Sequence, residues 1–429
     1  MNAEPTPGSA AFESVQSSPL DAQPLAPVAE DERFESLDVL RGFALLGILV
    51  MNVQSFSMPA VAYMNPTGYG DLSGANLWVW ILGHLFADQK FMTIFSALFG
   101  AGIVLMWQRA KSRGRKITGL HYRRTFWLML FGLGHAYLLW AGDVLFPYAV
   151  CSVWVFWFKG LSPRTLIVVG MIVLLVSPAL FLFAGYTMPF WPPAQLEEFR
   201  AVWQPSAEQI AETVADYRGG LADQMDRRVE EALMLQVGGM LFWGLWRAGG
   251  LMLLGMALFK LGFLTAELPD AVYRRCLIAG AFVGLPVVAF GVYRNFALEW
   301  DMSRMFFGTL YNYVGSLLVS LAYAAGVMLV CKHGLWKPVA ARLANVGRLA
   351  LTNYLGQTIL ATTIFYGHGL GYFGQVSRVG QILIVFAIWA VLIPFSSWWL
   401  ARFRFGPFEW LWRTLSYMRL QPMSRRAGH

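Results

Sequence analysis

The sequence predicts an all-α fold, a polytopic membrane helix bundle of about ten transmembrane helices with both termini in the cytoplasm. Of its 429 residues, 57% are hydrophobic and only 14% are charged. A soluble domain has about 45–50% apolar and about 25% charged residues, so a water-soluble fold is excluded. Several apolar runs approach the roughly 20 residues that cross a bilayer. Basic residues lie in short clusters between these runs, which is typical of membrane orientation.

The first 33 residues are predicted to be a disordered cytoplasmic tail. The segment from Met1 to Asp31 is rich in Pro, Ala, Ser and Glu, and it has neither a basic residue nor an apolar stretch. A secretory signal needs both features. The composition instead matches chains that bury too little apolar surface to fold.

A membrane domain is predicted over residues 34–413, followed by a basic cytoplasmic tail at 414–429. The predicted spans are Val39–Phe56, Leu77–Trp107, Thr125–Trp140, Val144–Phe158, Leu166–Gly185, Val237–Phe259, Cys276–Phe296, Phe306–Val330, Leu349–Tyr366 and Gln381–Leu400. The second run is too long for one perpendicular crossing. Its first part, Leu77–Phe86, is therefore expected to lie at the interface or to re-enter the membrane.

The basic connections set the predicted orientation. The connection after the second span is basic and has no acid: Arg109, Lys111, Arg113, Arg115, Lys116, Arg123 and Arg124. The other basic connections fall on the same side if there are ten spans, and the positive-inside rule makes that side cytoplasmic. We therefore expect a multi-pass protein of the bacterial inner membrane. The net charge of +8 then reflects orientation in lipid and not nucleic-acid binding.

Residues 192–236 form the long connection expected on the outer side. Ser206 and Gln209 match a capping box, and apolar residues recur at helical spacing from Ile210 to Leu233. This pattern predicts an amphipathic helix that packs over the bundle or acts as a substrate gate. Its expected weak point is Gly219–Gly220.

Ionisable residues inside spans are costly and usually face the bundle interior or a cavity. Arg247 lies about 10 residues into its span, roughly 15 Å deep, where it needs an anionic partner. That partner is either a protein carboxylate or a ligand. Asp88 and Lys90 lie at the break in the second run, where they form a local ion pair or contribute to a substrate site.

A candidate catalytic pair lies on the third span and the turn after it. His135 is near the midplane, and Asp143 follows at the outer turn. A carboxylate that orients an imidazole is a common general-base arrangement. A buried histidine with a purely structural role fits equally well, and the spacing alone does not establish contact. Asn353 and Gln357, four residues apart on one face of the ninth span, bond between helices or bind substrate.

The first span opens with Asp38 and Arg41, one helical turn apart. They either stabilise a helix start or form a phosphate-binding corner with the cationic side chains of Arg123, Arg124 and Arg348. Gly42 and Gly47 would allow close backbone approach on the same helix.

Four stretches resemble the YeiB-like membrane proteins, a family built on a domain of unknown function: residues 36–48, 90–100, 134–148 and 346–355. They include Ser36–Leu37–Asp38, Lys90–Phe91–Met92, Gly134–His135 and Asn353–Tyr354. The resemblance extends from about Glu35 to Arg413.

The pattern Asp38–x–x–Arg41–Gly42, with Asn52 further along, also resembles transmembrane acyltransferases of the heparan-α-glucosaminide N-acetyltransferase type. This resemblance implies transfer of an acyl group from cytoplasmic acetyl-CoA to a sugar amine or hydroxyl. It also implies that Asn52 lies in the reaction chamber and that the donor lies near Arg41. The histidine that follows the asparagine in that enzyme is missing here, because Val53 to Gly83 contains none.

These patterns favour an integral membrane acyltransferase with acyl-CoA, acetyl-CoA first, as its donor and an envelope component as its acceptor. His135, oriented by Asp143 or Asp88, would act as the base, and Asn52 or Arg247 would stabilise the oxyanion. A transporter or flippase for an anionic or amphiphilic solute, and a non-catalytic assembly protein, are the alternatives. No metal site is indicated by the spacing of cysteine and histidine. Membrane lipid is an expected partner, and a homodimer is compatible with the sequence.

Overall fold

A computed structural model of the protein describes residues 33–425, and within that range it is a helical bundle without a β-strand. One isolated bridge joins Phe403 to Ser424. Seven helices in the described range are long and apolar enough to cross a membrane. The protein is therefore a multi-pass membrane protein whose described residues form an all-helical bundle. The predicted N-terminal tail lies outside the described residues, apart from Arg33.

The helices are α1 (Glu35–Ser57), α2 (Val61–Met64), α3 (Gly74–Phe86), α4 (Lys90–Ser112), α5 (Thr118–Leu138), α6 (Leu145–Val155), α7 (Pro163–Thr187), α8 (Pro193–Trp203), α9 (Ala207–Arg218), α10 (Leu221–Met234), α11 (Leu245–Lys260), α12 (Asp270–Ala279), α13 (Leu285–Ala297), α14 (Met305–Lys332), α15 (Lys337–Arg348), α16 (Ala350–Phe365), α17 (Arg378–Arg402) and α18 (Pro407–Tyr417). Two π-helical segments, Leu235–Gly244 and Gly280–Gly284, join α10 to α11 and α12 to α13.

Seven helical stretches meet the length and hydropathy of a membrane span: Glu35–Ser57, Gly74–Ser112, Pro163–Phe190, Leu221–Lys260, Asp270–Ala297, Met302–Lys332 and Arg378–Arg402. The third, fourth and ninth predicted spans fall on α5, α6 and α16, which are shorter or less apolar. The second predicted run is interrupted as expected. Between α3 and α4 the chain turns at Gln89, which has a left-handed φ of 64°.

The prediction of one amphipathic helix over residues 192–236 is wrong, because three helices, α8, α9 and α10, occupy this segment. The capping box is confirmed: the Ser206 hydroxyl accepts from the Gln209 amide at 3.2 Å, and the Gln209 side chain accepts from the Ser206 amide at 2.8 Å. The predicted weak point is also confirmed. Both Gly219 and Gly220 are extended, and they separate α9 from α10.

The predicted boundary between the membrane domain and a C-terminal tail, at residues 413 and 414, is also wrong. Helix α18 runs across it, from Pro407 to Tyr417. The chain then packs back on the bundle, where the Arg404 amide donates to the Met423 carbonyl at 2.9 Å and the Trp410 indole donates to the Gln421 carbonyl at 2.8 Å. Residues 414–425 are thus part of the folded structure.

Glycines allow the central helices to approach closely. A Cβ at Gly42 of α1 would lie 1.9 Å from the Leu343 carbonyl oxygen of α15, and one at Gly47 would lie 2.4 Å from the Phe91 ring. This confirms the expected close backbone approach at Gly42, whereas at Gly47 the neighbour is a side-chain ring. The contact between α4 and α11 is equally tight, because a Cβ at Gly100 would lie 1.9 Å from the Met252 carbonyl oxygen. In lipid no hydrophobic force drives helices together. Small residues at such contacts let the helix backbones pack closely, and this packing stabilises the association.

We expect Gly100→Val to destabilise the bundle, because its side chain would force α4 and α11 apart. Overpacking of this kind costs roughly 1–3 kcal/mol. Gly102→Val is the matched control on α4, since a Cβ at Gly102 meets nothing within 4 Å. Thermal unfolding of the purified protein in detergent checks this. Equal unfolding midpoints for the two variants would contradict the close contact.

Candidate functional site

The structure brings His135 and Asp143 into direct contact. The Nδ1 atom of His135 lies 2.9 Å from Oδ1 of Asp143, and its Nε2 atom lies 2.9 Å from Oγ1 of Thr358. The side chains of His135 and Asp143 are 0% and 2% exposed. Three elements therefore converge on one imidazole: α5, the turn before α6, and α16. Asp143, and not Asp88, orients the ring.

The position of Asp143 follows from the start of α6. Its Oδ2 atom accepts from the Phe146 amide at 2.6 Å, so the carboxylate caps the positive end of the helix. The amide of Val144, the residue after Asp143, donates to the Tyr354 hydroxyl at 3.2 Å. Helix α5 can approach this turn because residue 132 is a glycine. A Cβ at that position would lie only 2.3 Å from the Phe146 nitrogen.

The hydrogen-bond partners of His135 indicate which ring nitrogen carries the proton. A carboxylate accepts only, so Nδ1 carries the proton that bonds to Asp143. In the neutral ring Nε2 then has a free electron pair, and the Thr358 hydroxyl donates to it. Thr358 is 1% exposed. Sequence reasoning missed this residue, although it follows directly after the predicted Gln357.

Asn52 lies in the half of α1 that is remote from Arg41, on the same helical face three turns away. It is partly accessible, although α1 is 78% buried along its membrane segment. No described residue hydrogen-bonds to its side-chain amide. Helix α1 packs against α4, α14, α15, α16 and α17, so the amide is a polar group without a partner on a largely enclosed helix.

A second polar cluster lies where α3, α4 and α14 meet. The Lys90 ammonium donates to the Asn312 amide oxygen and to the His84 carbonyl, each at 2.7 Å. The Asn312 amide nitrogen donates to Asp88 at 2.7 Å. Tyr63 donates to the other Asp88 oxygen at 2.8 Å. The predicted local ion pair is thus replaced by a bridge, in which Asn312 separates Asp88 from Lys90.

Arg247 is fully buried, with 0% of its surface exposed. Its guanidinium donates to the Tyr313 carbonyl at 3.1 Å, to Thr93 at 3.0 Å and to Ser316 at 2.8 Å. Its Nε atom is buried without a hydrogen-bond partner. No carboxylate of the described residues lies within ion-pair distance, so the structural ion pair considered for Arg247 is not present.

The basic end of the bundle is the end that holds residues 108–124 and α18. Here Arg41 pairs with Asp38 at 2.6 Å. The Arg124 guanidinium lies 4.0 Å from the centre of the Trp412 ring. Burial, and then the charge of Arg124, lower the pKa of Arg413 to about 10, and Arg41 acts in the same direction. Arg124 and Arg41 therefore both lie close enough to Arg413 to disfavour its charge.

The other two predicted arginines lie at the same end. Arg123 is exposed and contacts the Met418 sulfur at 3.2 Å. Arg348 ends α15, and the preceding Gly347 packs so tightly on α1 that a Cβ would lie 2.0 Å from the Asp38 carbonyl oxygen. Arg41 and Arg348 thus lie beside the start of α1, whereas Arg123 and Arg124 lie against the C-terminal segment that includes α18.

Glu409 on α18 holds the start of α16. Its carboxylate accepts from the amides of Leu351 at 2.6 Å and Thr352 at 3.0 Å. It therefore caps a helix from a distant part of the chain. Burial raises the pKa of Glu409. Sequence reasoning missed Glu409 and counted Arg413 only among the basic residues after the last span, because the helix that follows Leu400 was not predicted.

Asn353 and Gln357 are buried and bond between helices. Asn353 donates to the Val346 carbonyl at 3.1 Å and to Ser396 at 2.9 Å. Gln357 donates to the Leu45 carbonyl of α1 at 3.2 Å. These contacts match the structural alternative for both residues, and they fix α16 against α1 beside Thr358.

Two further buried arginines were not predicted. Arg228 of α10 donates to the Leu138 carbonyl at 2.7 Å, at the C-terminal end of α5. Arg378 donates to the Gln54 side chain at 2.7 Å and to the Tyr69 carbonyl at 3.2 Å. Both are 1% exposed. They join the outer helices and loops to the bundle. Among the described residues, no group of three or more His, Cys, Asp or Glu side chains is placed to hold a metal ion.

The fold and these buried polar clusters define an integral, multi-pass membrane protein with a hydrogen-bonded polar interior. The chain belongs to the YeiB-like family, whose family model, described as "Protein of unknown function (DUF418)", matches residues 258–419. It is 33% identical over 403 residues to the uncharacterized protein YeiB of Escherichia coli (strain K12), covering 90% of this chain and 96% of that protein.

A second relative is the uncharacterized protein YxaH of Bacillus subtilis (strain 168). It is 30% identical over 424 residues, covering 94% of this chain and 99% of YxaH. A third, from Bacillus acidopullulyticus, is 27% identical over 400 residues, covering 92% of this chain and 97% of that protein. No solved structure matches the chain significantly.

We expect Glu409→Ala to lower the stability of the protein by about 1–2 kcal/mol, because two amides at the start of α16 lose their acceptor. Glu409→Gln keeps one acceptor oxygen and should lose less. Unfolding in detergent, followed by tryptophan fluorescence, measures both changes. Glu208→Ala, at an exposed position of α9, is the control. A Glu409→Ala midpoint equal to that of the control would contradict the capping role.

Proposed function

We propose that this membrane protein is an acyltransferase, which moves an acyl group from acyl-CoA to a hydroxyl or amine of an envelope component at or across the membrane. The observation that carries the proposal is the buried contact between Asp143 and His135. An imidazole held by a carboxylate at Nδ1 can accept a proton at Nε2, and the carboxylate stabilises the imidazolium that forms.

The donor site of this proposal is the basic end. Arg124 and Arg41 both disfavour the charge of Arg413 in a partly buried setting, and an anion bound beside Arg413 would relieve that repulsion. Guanidinium groups bind phosphate oxygens in bidentate geometry, and Arg123 and Arg348 lie at the same end. This donor set fits the phosphates of CoA. Acetyl-CoA is the first donor to test.

The proposed topology has ten crossings, with α5, α6 and α16 added to the seven long apolar helices. The protein would lie in the bacterial inner membrane. Both termini and the basic end would then face the cytoplasm. The acceptor approaches from the opposite side, over α8, α9 and α10. Membrane lipid surrounds the bundle.

The chemistry requires one proton transfer in each direction. His135 takes the proton of the acceptor O–H or N–H as the acceptor attacks the thioester carbonyl. The C–S bond then breaks, a bond between acyl carbon and acceptor forms, and the thiolate leaves with the proton from His135. The free amide of Asn52 is the proposed donor to the oxyanion. Arg247 is less suited, because its terminal nitrogens already bond to protein oxygens.

We expect His135→Asn to lower kcat for acyl transfer by roughly 10²–10⁴-fold, because it removes the general base. The dissociation constant for acyl-CoA should not change, since the donor site lies at the basic end. Radiolabelled acetyl-CoA with amine- and hydroxyl-bearing envelope fractions measures transfer, and calorimetry measures donor binding. His333→Asn, whose parent side chain is 48% exposed, is the control. Full turnover by His135→Asn would show that His135 is not the base.

A second candidate function is transport or flipping of an anionic solute, and Arg247 is the observation that favours it. A fully buried guanidinium without a carboxylate is costly in hydrocarbon, and a passing anion would compensate its charge. Lys90 adds a second buried cation nearby.

For this alternative we expect proteoliposomes to take up labelled anions or flip a labelled anionic lipid without acyl-CoA. Arg247→Gln should slow that uptake about tenfold or more, the equivalent of about 1.4 kcal/mol, whereas Arg247→Lys keeps the charge and part of the rate. Arg200→Gln, at a side chain that is 60% exposed, is the control. Uptake that is absent, or equal in Arg247→Gln and wild type, would exclude this function for Arg247.

A further inference from the structure

We infer that Thr358 is a nucleophile that carries the acyl group covalently between donor and acceptor. The inference rests on the proposed acyltransferase function and changes its course, from one direct transfer to two transfers through a threonine ester. It also explains the hydrogen bond that the Nε2 atom of His135 already makes in the protein.

The geometry is that of a nucleophile, a base and an orienting acid. The distance from Thr358 Oγ1 to His135 Nε2 is 2.9 Å, and that from His135 Nδ1 to Asp143 Oδ1 is also 2.9 Å. Such a set is recognised by its geometry and not by the order of its residues in the chain. Threonine hydroxyls serve as nucleophiles when a base lies within hydrogen-bond distance.

The direction of the threonine proton follows from two distances. The hydroxyl lies 3.4 Å from the Tyr354 carbonyl, the contact that a threonine inside a helix ordinarily makes. Its distance to the His135 Nε2 atom, which accepts in the neutral ring, is shorter, at 2.9 Å. The hydroxyl proton is therefore directed at Nε2. Removal of that proton produces the nucleophilic oxygen.

Two further contacts fix this set. The Phe146 amide binds the second Asp143 oxygen at 2.6 Å. Gln357, next to Thr358, donates to the Leu45 carbonyl at 3.2 Å and thereby fastens this turn of α16 to α1. Asn52 lies two turns beyond Leu45 on α1, with its amide unbonded. Burial of Thr358 and His135, at 1% and 2% exposure, would shield an ester from hydrolysis.

Each of the two steps balances. In the first, the Thr358 O–H proton moves to His135 Nε2, the threonine oxygen bonds to the acyl carbon, the C–S bond breaks, and the CoA thiolate takes the proton. In the second, the acceptor O–H or N–H proton moves to His135, the acceptor bonds to the acyl carbon, and the threonine C–O ester bond breaks. The threonine oxygen then recovers the proton from His135.

The test uses the full-length protein in detergent with [14C]acetyl-CoA and no acceptor. We expect a burst of about one CoA per protein and a label on the peptide that contains Thr358, released by hydroxylamine as an ester. Thr358→Ser should retain the label. Thr358→Val, which replaces the hydroxyl by a methyl group, should take up none and should lower transfer to acceptor by ~10³-fold or more. Thr362→Val, one turn along α16 and 2% exposed at the parent residue, is the control.

The outcomes separate the two proposals. Transfer to acceptor by the wild type without any labelled threonine, or full transfer by Thr358→Val, would overturn the covalent role and leave the acyltransferase standing. Absence of CoA release with and without acceptor would overturn both. If Thr358→Val does not fold, the site of the wild-type label and the behaviour of Thr358→Ser still decide the question.

Discussion

The cost of leaving a polar or charged group without a partner in hydrocarbon governs the interior of this protein. Asp143 satisfies this constraint at both of its oxygens, one bonded to His135 and the other to the first turn of α6. Lys90 and Asp88 satisfy it through Asn312. These bonds join helices that are distant in the chain, so they hold the bundle together where lipid provides no hydrophobic drive between apolar helices.

The same constraint divides the interior into regions of different character. Around His135 the donors and acceptors are matched, and a proton can be exchanged between groups in contact. Around Arg247 the charge is not matched, because its partners are a carbonyl and two hydroxyls. At the basic end, the charges of Arg124 and Arg41 act against the charge of Arg413. A matched hydrogen-bonded set, an unmatched buried charge and a group of arginines thus lie in separate places.

Local patterns were sufficient to predict several features of the fold. The break after Phe86, the capping box at Ser206 and the separation at Gly219 all depend on residues close in sequence. The outer segment was predicted as one helix because apolar periodicity continues across its interruptions. Helix α15 fell in the connection between the eighth and ninth predicted spans, although Gly347 packs it directly against α1.

The site shows the same limit in finer detail. His135 and Asp143 are eight residues apart, so their pairing was a reasonable hypothesis. Thr358 is 223 residues from His135, and no local pattern connects them. Asn312 and Ser316 occupy one face of α14 four residues apart, a spacing that could have identified them as polar interior positions. Their partners Lys90 and Arg247 are set by tertiary packing, which periodicity does not reveal.

The cap that Glu409 provides has a mechanical consequence. The first turn of helix α16 is hydrogen-bonded to Glu409 of α18, and its third turn carries Thr358. Arg413 is one turn from Glu409 on α18. A displacement of α18 must therefore either break the hydrogen bonds of Glu409 or move α16. Movement of α16 would change the distance between the Thr358 oxygen and the imidazole. The position of α18 at the basic end is in this sense mechanically coupled to the contact between Thr358 and His135.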